Sequence, residues 1–421
     1  MKQLVYIDKS QLDNFPNSLD TEPLRGVGYE WPGEGVIHAY LDAPRFKIQG
    51  KPIDVFFICI NTPDNVIDTY SFAGIMENKI SEIDIKMHKP FLTVFVFRNT
   101  IEAHIKAFFK NDTILEECDV LNIPGKEELY SRSKGLLESN ALADKNILII
   151  GLGSFGSHIA VELAKAGIGN FSLVDFDRLE LSNVSRHVCG VNELGRYKTC
   201  AVKDAILLKN PYANVATIEA DINKAPEQLK QLIEAADITI CVTDNNRSRF
   251  NINTIALQLN KVILFGRAIT RAEGGDVFKL NGNIGPCYNC LVGDNAMVHA
   301  FGEEEISSRK QADATLPAYT TAEDKDAVVQ VGLSSDISPI CNMMVKLALV
   351  ELSKNTSSEI LSLENELTYN YYLWANRRER QYLNWGLFNN PENKPTILRW
   401  YGVKVAKKTS CFSCTSNYGN E

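Results

Sequence analysis

The residue types best suited to chemistry begin with a glycine turn, Gly151-Leu-Gly153-Ser-Phe-Gly156. Its glycines let the backbone turn tightly and approach a phosphate, which then lies against the free N–H groups at the start of a helix. Asp175 follows Gly156 by 19 residues, where a carboxylate can hold a ribose hydroxyl. This spacing predicts a nucleotide site, and a glycine turn without a ligand is the alternative.

Two Cys-x-x-Cys pairs, Cys287/Cys290 and Cys411/Cys414, supply four thiolates. Four thiolates are the ligand set of a closed tetrahedral zinc site. A redox Cys-x-x-Cys is the competing interpretation, but one zinc site accounts for both pairs at once. The sequence therefore predicts a structural zinc site.

Six further cysteines stand alone in the sequence. Cys189 is close behind Arg186 and is the one thiol near the expected phosphates, so it is a candidate for reactivity. The other five are expected to be buried or unreactive thiols, and three of them, Cys59, Cys241 and Cys341, are expected to pack as small hydrophobic residues.

The elements that position these residues alternate between apolar strands and helices. The predicted strands are Asn146–Ile150, Phe171–Asp175, Ile238–Val242 and Val262–Phe265, and the predicted helices follow the glycine turn and cover Lys198–Lys209 and 341–353. Strands that are apolar on both faces and alternate with helices indicate a doubly wound, mostly parallel α/β sheet of the Rossmann type.

The region before this pattern, residues 1–127, contains apolar runs such as Ile53–Ile60 and Phe91–Phe97 that are typical of buried strands. We expect a smaller N-terminal α/β domain here, of unknown role, with its boundary near Asn122–Lys126. The second domain is then 128–421. Within it, residues 291–335 are predicted to form a long surface connection.

Composition narrows the function classes. A chain of 421 residues suggests two or three domains. Its net charge of −8 argues against nucleic acid or an anionic membrane as the main partner. The mixed, charged start of the sequence leads us to expect no secretory signal, and no run of about 18 apolar residues of the kind that a membrane helix needs is present in it. We therefore expect a reduced, cytoplasmic protein.

A longer run of residues carries a family resemblance: Asp175-Phe-Asp177-Arg-Leu-Glu-Leu-Ser-Asn183-Val-Ser-Arg186, then Gly195-Arg-Tyr-Lys198 and Asn210-Pro211. This run, within residues 128 to 414, resembles the adenylating domain shared by ubiquitin-activating enzymes and the bacterial activators ThiF and MoeB. A dehydrogenase would leave Asn183, Arg186, Lys198 and the cysteine pairs unexplained.

The resemblance implies a role for each position. Asp175 would bind the ribose of ATP, Asn183, Arg186 and Lys198 would contact its phosphates, and Asp244 would hold Mg²⁺. The implied nucleotide-binding set is Gly151, Gly153, Gly156, Asp175, Asp177, Asn183, Arg186, Lys198 and Asp244. Chemically the set is reasonable, because a carboxylate that attacks the α-phosphate needs cations to offset the developing charge.

Arg132, in Tyr130-Ser131-Arg132, resembles the arginine with which members of this family reach into the site of a partner protomer. The resemblance therefore implies a homodimer. Each charged residue also has a simpler interpretation. Asp177 would brace its loop, Arg186 and Lys198 would be surface charges, and Arg132 would be a solvated helix end. Arg247 and Arg249 either touch phosphate or face water.

Many relatives pass the activated carboxylate to a cysteine in the crossover connection, but none lies between Cys290 and Cys341. Asp313-Ala314-Thr315-Leu316-Pro317 is similar to the family's thioester motif, with Ala314 at the position of the nucleophile. Three explanations stay open: adenylation without a thioester, a cysteine replaced by alanine, or Ala314 as an ordinary loop residue. An oxyester on a hydroxyl of this loop is unsupported.

The resemblance implies an ATP- and Mg²⁺-dependent enzyme that adenylates the C-terminal carboxylate of a small ubiquitin-like protein in a bacterial conjugation pathway. The acyl group would pass to a thiol or a sulfur donor, with a conjugating enzyme as a further partner and zinc in the cysteine site. Arg132, Arg186, Lys198, Asp244 and the position of Ala314 would carry the catalysis. One alternative is adenylation of a peptide or a modified tRNA, and another is a catalytically silent nucleotide-binding scaffold.

Overall fold

The structure, a computed structural model, describes residues 2–12, 22–61, 69–87, 89–98, 103–111, 114–123, 125–268, 272–293, 332–377 and 397–415. Ala314 and most of the predicted crossover connection, 294–331, lie outside the described residues. The chain divides into two units, Met1–Ser131 and Arg132–Glu421. No helix in the described part is long and apolar enough to cross a membrane.

The first unit is a closed barrel of seven strands. These are β1 (Leu4–Ile7), β2 (Leu24–Trp31), β3 (Val36–Tyr40), β4 (Lys51–Asn61), β5 (Phe91–Arg98), β6 (Ala103–Lys110) and β7 (Leu115–Asn122). Neighbouring strands follow the order β1-β3-β2-β4-β5-β6-β7, and parallel pairing of β1 with β7 closes the barrel. The predicted strands Ile53–Ile60 and Phe91–Phe97 are confirmed as parts of β4 and β5.

The described residues of this unit also form three helices: α1 (Lys9–Leu12), α2 (Thr69–Met87) and α3 (Lys126–Leu129). In α2, Ile80 and Ile83 pack against Ile58 and Phe95 in a core separate from the barrel interior. Gly26 is required in β2 because a Cβ atom there would lie 2.5 Å from the Phe57 ring. The unit is thus mainly a barrel, with one long helix packed on part of its outer surface.

The second unit contains an eight-stranded sheet. Its strands are β8 (Asn146–Ile150), β9 (Asn170–Val174), β10 (Asn214–Ile218), β11 (Ile238–Cys241), β12 (Val262–Ala268), β13 (Gly274–Asn281), β14 (Tyr371–Ala375) and β15 (Arg399–Val403). The order is β10-β9-β8-β11-β12-β13-β14-β15. Pairing is parallel from β10 to β12 and antiparallel from β12 to β15.

The helices of this unit are α4 (Ser139–Leu142), α5 (Ser154–Lys165), α6 (Leu181–Val184), α7 (Lys198–Leu207), α8 (Pro226–Ala235), α9 (Asn246–Leu259), α10 (Tyr288–Val292), α11 (Ser334–Leu352) and α12 (Phe412–Thr415). Short 3₁₀ turns cover Ser131–Ser133, Val191–Glu193 and Glu359–Asn365. Helix α11 begins seven residues before the predicted start at 341, because the Asp336 carboxylate accepts a hydrogen bond from the Leu333 N–H (3.0 Å) and caps an earlier first turn.

Helices pack on both faces of the parallel strands. Ile147 and Ile149 of β8 pack with α5, α7 and α11, whereas Leu148 and Ile150 pack with α8 and α9. This two-sided burial explains why the strands are apolar without alternation. Since β8 leads to β9 on one side and β11 leads to β12 on the other, the strand order reverses between β8 and β11. The loops after these two strands meet at one edge of the sheet.

Candidate functional site

The glycine turn joins β8 to α5. Gly151 has φ +92°, a left-handed conformation that favours glycine, and Gly153 precedes the first turn of α5. A Cβ atom on Gly156 would lie 1.9 Å from the Gly151 carbonyl oxygen, so the close contact between helix and turn requires glycine there. A Cβ atom on Gly153 would meet nothing within 4 Å. The turn is thus closely packed on its inner side and open at Gly153.

Asp175, directly after β9, binds the glycine turn. Its Oδ2 accepts a hydrogen bond from the Leu152 N–H (2.6 Å) and its Oδ1 accepts one from the Asp177 N–H (2.9 Å). Burial raises the pKa of the Asp175 carboxyl, and the nearby Lys198 ammonium opposes this shift. Each carboxylate oxygen has a further lone pair. Asp175, which is predicted to bind the ribose of ATP, therefore also ties β9 to the glycine turn.

His187 is a site residue that the sequence did not single out. The side chain is buried (8% exposed), its Nε2 lies 2.9 Å from the Leu152 carbonyl oxygen, and its Nδ1 lies 3.0 Å from the Cys189 N–H nitrogen. Because a backbone N–H only donates, Nδ1 must accept and Nε2 must carry the proton that is donated to Leu152. Burial, with a contribution from Lys198, lowers the pKa of His187 to about 4. A neutral imidazole thus holds the turn.

Lys198, the first residue of α7, is buried (8% exposed) and not the surface charge of the simpler interpretation. Its Nζ donates to Asp177 Oδ2 at 2.8 Å, and its backbone N–H donates to the Asp177 carbonyl oxygen at 3.0 Å. Asp177 therefore braces the loop, as the simpler interpretation of that residue proposed, and at the same time fixes an ammonium group beside Asp175.

Asn183 and Arg186 lie in and just after α6. Asn183 Oδ1 accepts a hydrogen bond from the Glu180 N–H (3.1 Å), so its side chain caps this short helix. The Arg186 side chain is half-buried, and among the described residues no hydrogen bond or ion pair holds its guanidinium. Within the described part of the chain, Arg186 is thus an uncompensated cation available to an anionic ligand.

Asp244 lies in the loop between β11 and α9, and its side chain is exposed. The Val242 N–H donates to the Ile150 carbonyl oxygen (2.9 Å), which places this loop next to the glycine turn. Asn245 Oδ1 caps α9 by accepting from the Ser248 N–H (2.9 Å). The loop therefore presents the Asp244 carboxylate at the edge where β8 and β11 end.

Arg249 does not face water, which was one of the two roles expected of it. The side chain is buried (7% exposed), and its guanidinium donates to the Thr243 carbonyl oxygen and to Asn246 Oδ1 (3.1 Å). Both acceptors flank Asp244 along the chain. Arg249 thus braces the Asp244 loop from inside, and its burial shows that the expectation of a water-facing side chain was wrong.

Arg132 lies in an exposed 3₁₀ turn at the start of the second unit. Among the described residues the structure records no contact of its side chain with Asp175, Lys198 or Asp244. The predicted nucleotide-binding residues follow β8, β9 and β11 at one edge of the sheet. Arg132 is not gathered with them within one chain.

The four cysteines of the two Cys-x-x-Cys pairs converge although 124 residues separate Cys287 from Cys411. Their sulfur atoms lie within 4.8 Å of one another, with Cys287–Cys290 at 3.8 Å, Cys287–Cys411 at 3.5 Å and Cys290–Cys414 at 3.5 Å. A tetrahedral centre with metal–sulfur bonds of about 2.3 Å requires sulfurs about 3.8 Å apart, and a disulfide requires about 2.05 Å. The cluster has the dimensions of a metal site.

N–H groups of neighbouring residues point at these sulfurs. Asn289 Nδ2 donates to Cys411 Sγ (3.6 Å) and the Lys408 N–H donates to Cys290 Sγ (3.4 Å). Such donors stabilise thiolates and orient them. Cys189, the candidate for a reactive thiol, is buried, and burial raises the pKa of this thiol and of Cys341 to about 12 each. A raised pKa disfavours the thiolate form in which a cysteine reacts.

Fold and site define an α/β protein with a glycine turn at the carboxyl edge of its sheet and a four-cysteine cluster. The family model described as "ThiF family" matches residues 129–391, and the chain belongs to this family.

Among curated relatives, the chain is 34% identical over 161 residues to the molybdopterin-synthase adenylyltransferase of Escherichia coli, covering 37% of this chain and 64% of the relative. It is 32% identical over 182 residues to the adenylyltransferase and sulfurtransferase MOCS3 of Xenopus laevis, covering 43% of this chain and 39% of the relative. The matches thus span less than two thirds of these relatives.

Among solved structures, the chain is similar to E. coli MccB crystallised with ATP. The identity is 20% and the TM-score 0.48, and the match covers 69% of this chain and 76% of that chain.

Proposed function

We propose that the chain is an ATP- and Mg²⁺-dependent adenylyltransferase that activates the C-terminal carboxylate of a small ubiquitin-like protein. The observation that carries this proposal is the placing of the glycine turn, the anchored Lys198, the uncompensated Arg186 and the exposed Asp244 along one strand edge. Relatives named as adenylyltransferases support the reaction type, and the name of one of them gives a protein, molybdopterin synthase, as what it adenylates.

In the proposed reaction an oxygen of the substrate carboxylate forms a bond to the α-phosphorus of ATP. The bond from that phosphorus to the bridging oxygen breaks, and pyrophosphate leaves with the electron pair. Backbone N–H groups at the start of α5 bind phosphate oxygens, while Lys198 and Arg186 offset the negative charge that develops around the α-phosphorus. The products are an acyl-adenylate and pyrophosphate.

Asp244 would hold Mg²⁺, which supplies charge neutralisation on the pyrophosphate. The exposure of Asp244 and its place beside the glycine turn support this role. The acyl-adenylate would then transfer its acyl group to a thiol or a sulfur donor, with release of AMP. The burial of Cys189 and Cys341 favours an acceptor outside these two residues.

We infer that the four-cysteine cluster holds zinc. Four sulfur ligands leave no open coordination position, so the expected role is structural. In the same proposal the sheet order β10-β9-β8-β11-β12 is the Rossmann-like core, and Arg132 acts in the site of a partner protomer of a homodimer. The N-terminal barrel would recruit the protein substrate or a conjugating enzyme.

The test is ATP–pyrophosphate exchange with purified ubiquitin-like proteins from the same genome. Exchange must require a free C-terminal carboxylate, so the matched control is the same protein with a C-terminal amide. We expect exchange with the carboxylate form and none with the amide. Equal exchange with both forms, or no exchange with any candidate, would contradict the proposal.

A further inference from the structure

Tyr288 lies between Cys287 and Cys290 and is only 1% exposed. Its ring stacks on Phe265 with centroids 4.9 Å apart, and it meets Phe250 edge-on at 5.4 Å. Its backbone N–H donates to Asn253 Oδ1 in α9 at 2.8 Å. The cysteine pair is therefore packed rigidly against α9 through this one residue.

The Tyr288 hydroxyl is the polar end of this ring. It donates to Asn246 Oδ1 at 3.0 Å, and the same oxygen accepts from Arg249 at 3.1 Å. Arg249 in turn donates to the Thr243 carbonyl oxygen. A hydrogen-bonded path thus leads from the residue between the two cysteines to the backbone just before Asp244.

The Asp244 side chain is exposed, and its one recorded hydrogen bond among the described residues is a long one from Asn245 Nδ2 (3.4 Å). Its position is therefore set mainly by the backbone on either side. Thr243 is held by Arg249 and by a 2.5 Å contact of its hydroxyl with Ser248 Oγ. Asn245 is held by capping α9. All of these partners belong to the first turn of α9, which Tyr288 contacts.

We propose that Tyr288 is a positioning residue that couples the four-cysteine metal cluster to the Asp244 loop. A metal ion on the thiolates fixes Tyr288, and Tyr288 fixes the first turn of α9 and so the Asp244 carboxylate. The nucleotide part of this inference rests on the proposed function, whereas the ordering of the loop does not. The coupling runs through the Tyr288 hydroxyl, which bonds Asn246 in the first turn of α9. The Tyr288 ring packs against Phe250 and Phe265.

The variant that isolates the hydroxyl is Tyr288→Phe, which keeps the ring. Its matched control is Tyr371→Phe, which removes a half-buried tyrosine hydroxyl bonded to Asp276 (2.9 Å) in the same sheet. Binding of a non-hydrolysable ATP analogue is measured by calorimetry with Mg²⁺ and without added Mg²⁺, in the absence of any chelator so that the cluster metal stays bound. We expect Tyr288→Phe to lose about three- to tenfold of the affinity gained on adding Mg²⁺, while its affinity without added Mg²⁺, its zinc content and the Tyr371→Phe variant match wild type.

A second measurement needs no nucleotide. Amide hydrogen exchange at residues 243–248 of the nucleotide-free protein, with the cluster metal bound, reports local opening of the Asp244 loop. It should quicken in Tyr288→Phe, and in wild type after chelation of the cluster metal, but not in Tyr371→Phe. Unchanged exchange in Tyr288→Phe, or the same change in both tyrosine variants, would overturn the coupling. Wild type that binds no nucleotide, combined with faster exchange in Tyr288→Phe, would contradict the proposed function and leave the coupling supported.

Discussion

The imidazole Nε2 of His187 lies 2.9 Å from the carbonyl oxygen of Leu152, the second residue of the glycine turn. The N–H of Leu152 is bound by Asp175, so both backbone polar groups of this residue are occupied. The turn is therefore fixed from two sides before a ligand arrives. Such preorganisation lowers the entropy that is lost on binding a phosphate.

Substitutions at His187 separate its two hydrogen bonds. In His187→Gln the side-chain amide N–H can still donate to the Leu152 carbonyl, whereas in His187→Asn the side-chain oxygen replaces Nδ1 as the acceptor for Cys189. If the bond to Leu152 positions the turn, Gln retains the affinity for ATP and Asn loses about fivefold, equivalent to about 1 kcal/mol. Calorimetric titration with ATP measures this, and the reverse ranking would contradict it.

The same imidazole predicts a pH dependence of stability. The unfolded chain protonates His187 near pH 6.5, but the folded chain does so near a pKa of about 4. Between these values the unfolded state binds the extra proton. The free energy of unfolding therefore falls as the pH falls from 6.5 to 4, by at most about 3 kcal/mol, and the contribution is complete above pH 6.5.

His187→Gln removes this contribution. His38 in the barrel, whose pKa burial also lowers, has the same sign of effect but is present in both proteins. Urea denaturation of wild type and His187→Gln from pH 4 to 8 should therefore give curves that diverge below pH 6.5. Parallel curves would show that His187 is not buried as a neutral group.

The ion pair of Lys198 and Asp177 predicts that substitution of Asp177 lowers mainly stability, whereas substitution of Lys198 lowers mainly the affinity for ATP. Asp177→Asn leaves a buried ammonium without its carboxylate and should lower the free energy of unfolding by about 1 kcal/mol, since the Asp177 side chain is half-exposed and solvent screens the pair. Lys198→Met keeps the apolar stem and removes the charge. It should leave stability nearly unchanged but weaken ATP binding by at least about tenfold. Thermal unfolding and ATP titration of both variants check this pattern.

Asp244→Asn tests the proposed magnesium ligand. Because the side chain is exposed, the midpoint of thermal unfolding should change by no more than about 1 °C, while the rate of ATP–pyrophosphate exchange should fall by at least about 100-fold. The matched control is Asp144→Asn, an exposed aspartate before β8. An equal loss in both variants would assign the effect to general charge and not to a metal ligand.

The four-cysteine cluster predicts one zinc ion per chain. Cys411→Ser should reduce the zinc content to near zero and lower the midpoint of thermal unfolding by several degrees, because binding energy at a structural zinc site is also folding energy. Cys200→Ser is the control, since this half-buried thiol contacts Glu219 and lies outside the cluster. Elemental analysis that finds no zinc in wild type, or equal zinc in both variants, would contradict the assignment.

Local patterns predicted the core of the second unit well. The apolar runs at Asn146–Ile150 and Ile238–Val242 implied strands buried on both faces, and β8 and β11 are buried in this way. The glycine turn was readable because φ +92° at Gly151 and the close approach at Gly156 are local requirements. The two Cys-x-x-Cys pairs implied a metal cluster from residue type alone.

Long-range relationships were not readable. Closure of the N-terminal barrel depends on pairing β1 with β7, which no local pattern encodes. His187 and Leu152 are 35 residues apart, and the only signal was the position of this histidine directly after Arg186. Arg249 was expected either at a phosphate or in water, and the second alternative was wrong because spacing does not show which way a helix side chain points.

The cysteine cluster also has a consequence for the order of events during synthesis. Its first pair leaves the ribosome 124 residues before its second. The four-thiolate centre therefore cannot form until synthesis has reached Cys414. If Tyr288 transmits the state of that centre to Asp244, nascent chains that end before Cys411 would carry a loosely held Asp244 loop, and the metal would report to the site that the second cysteine pair is in place.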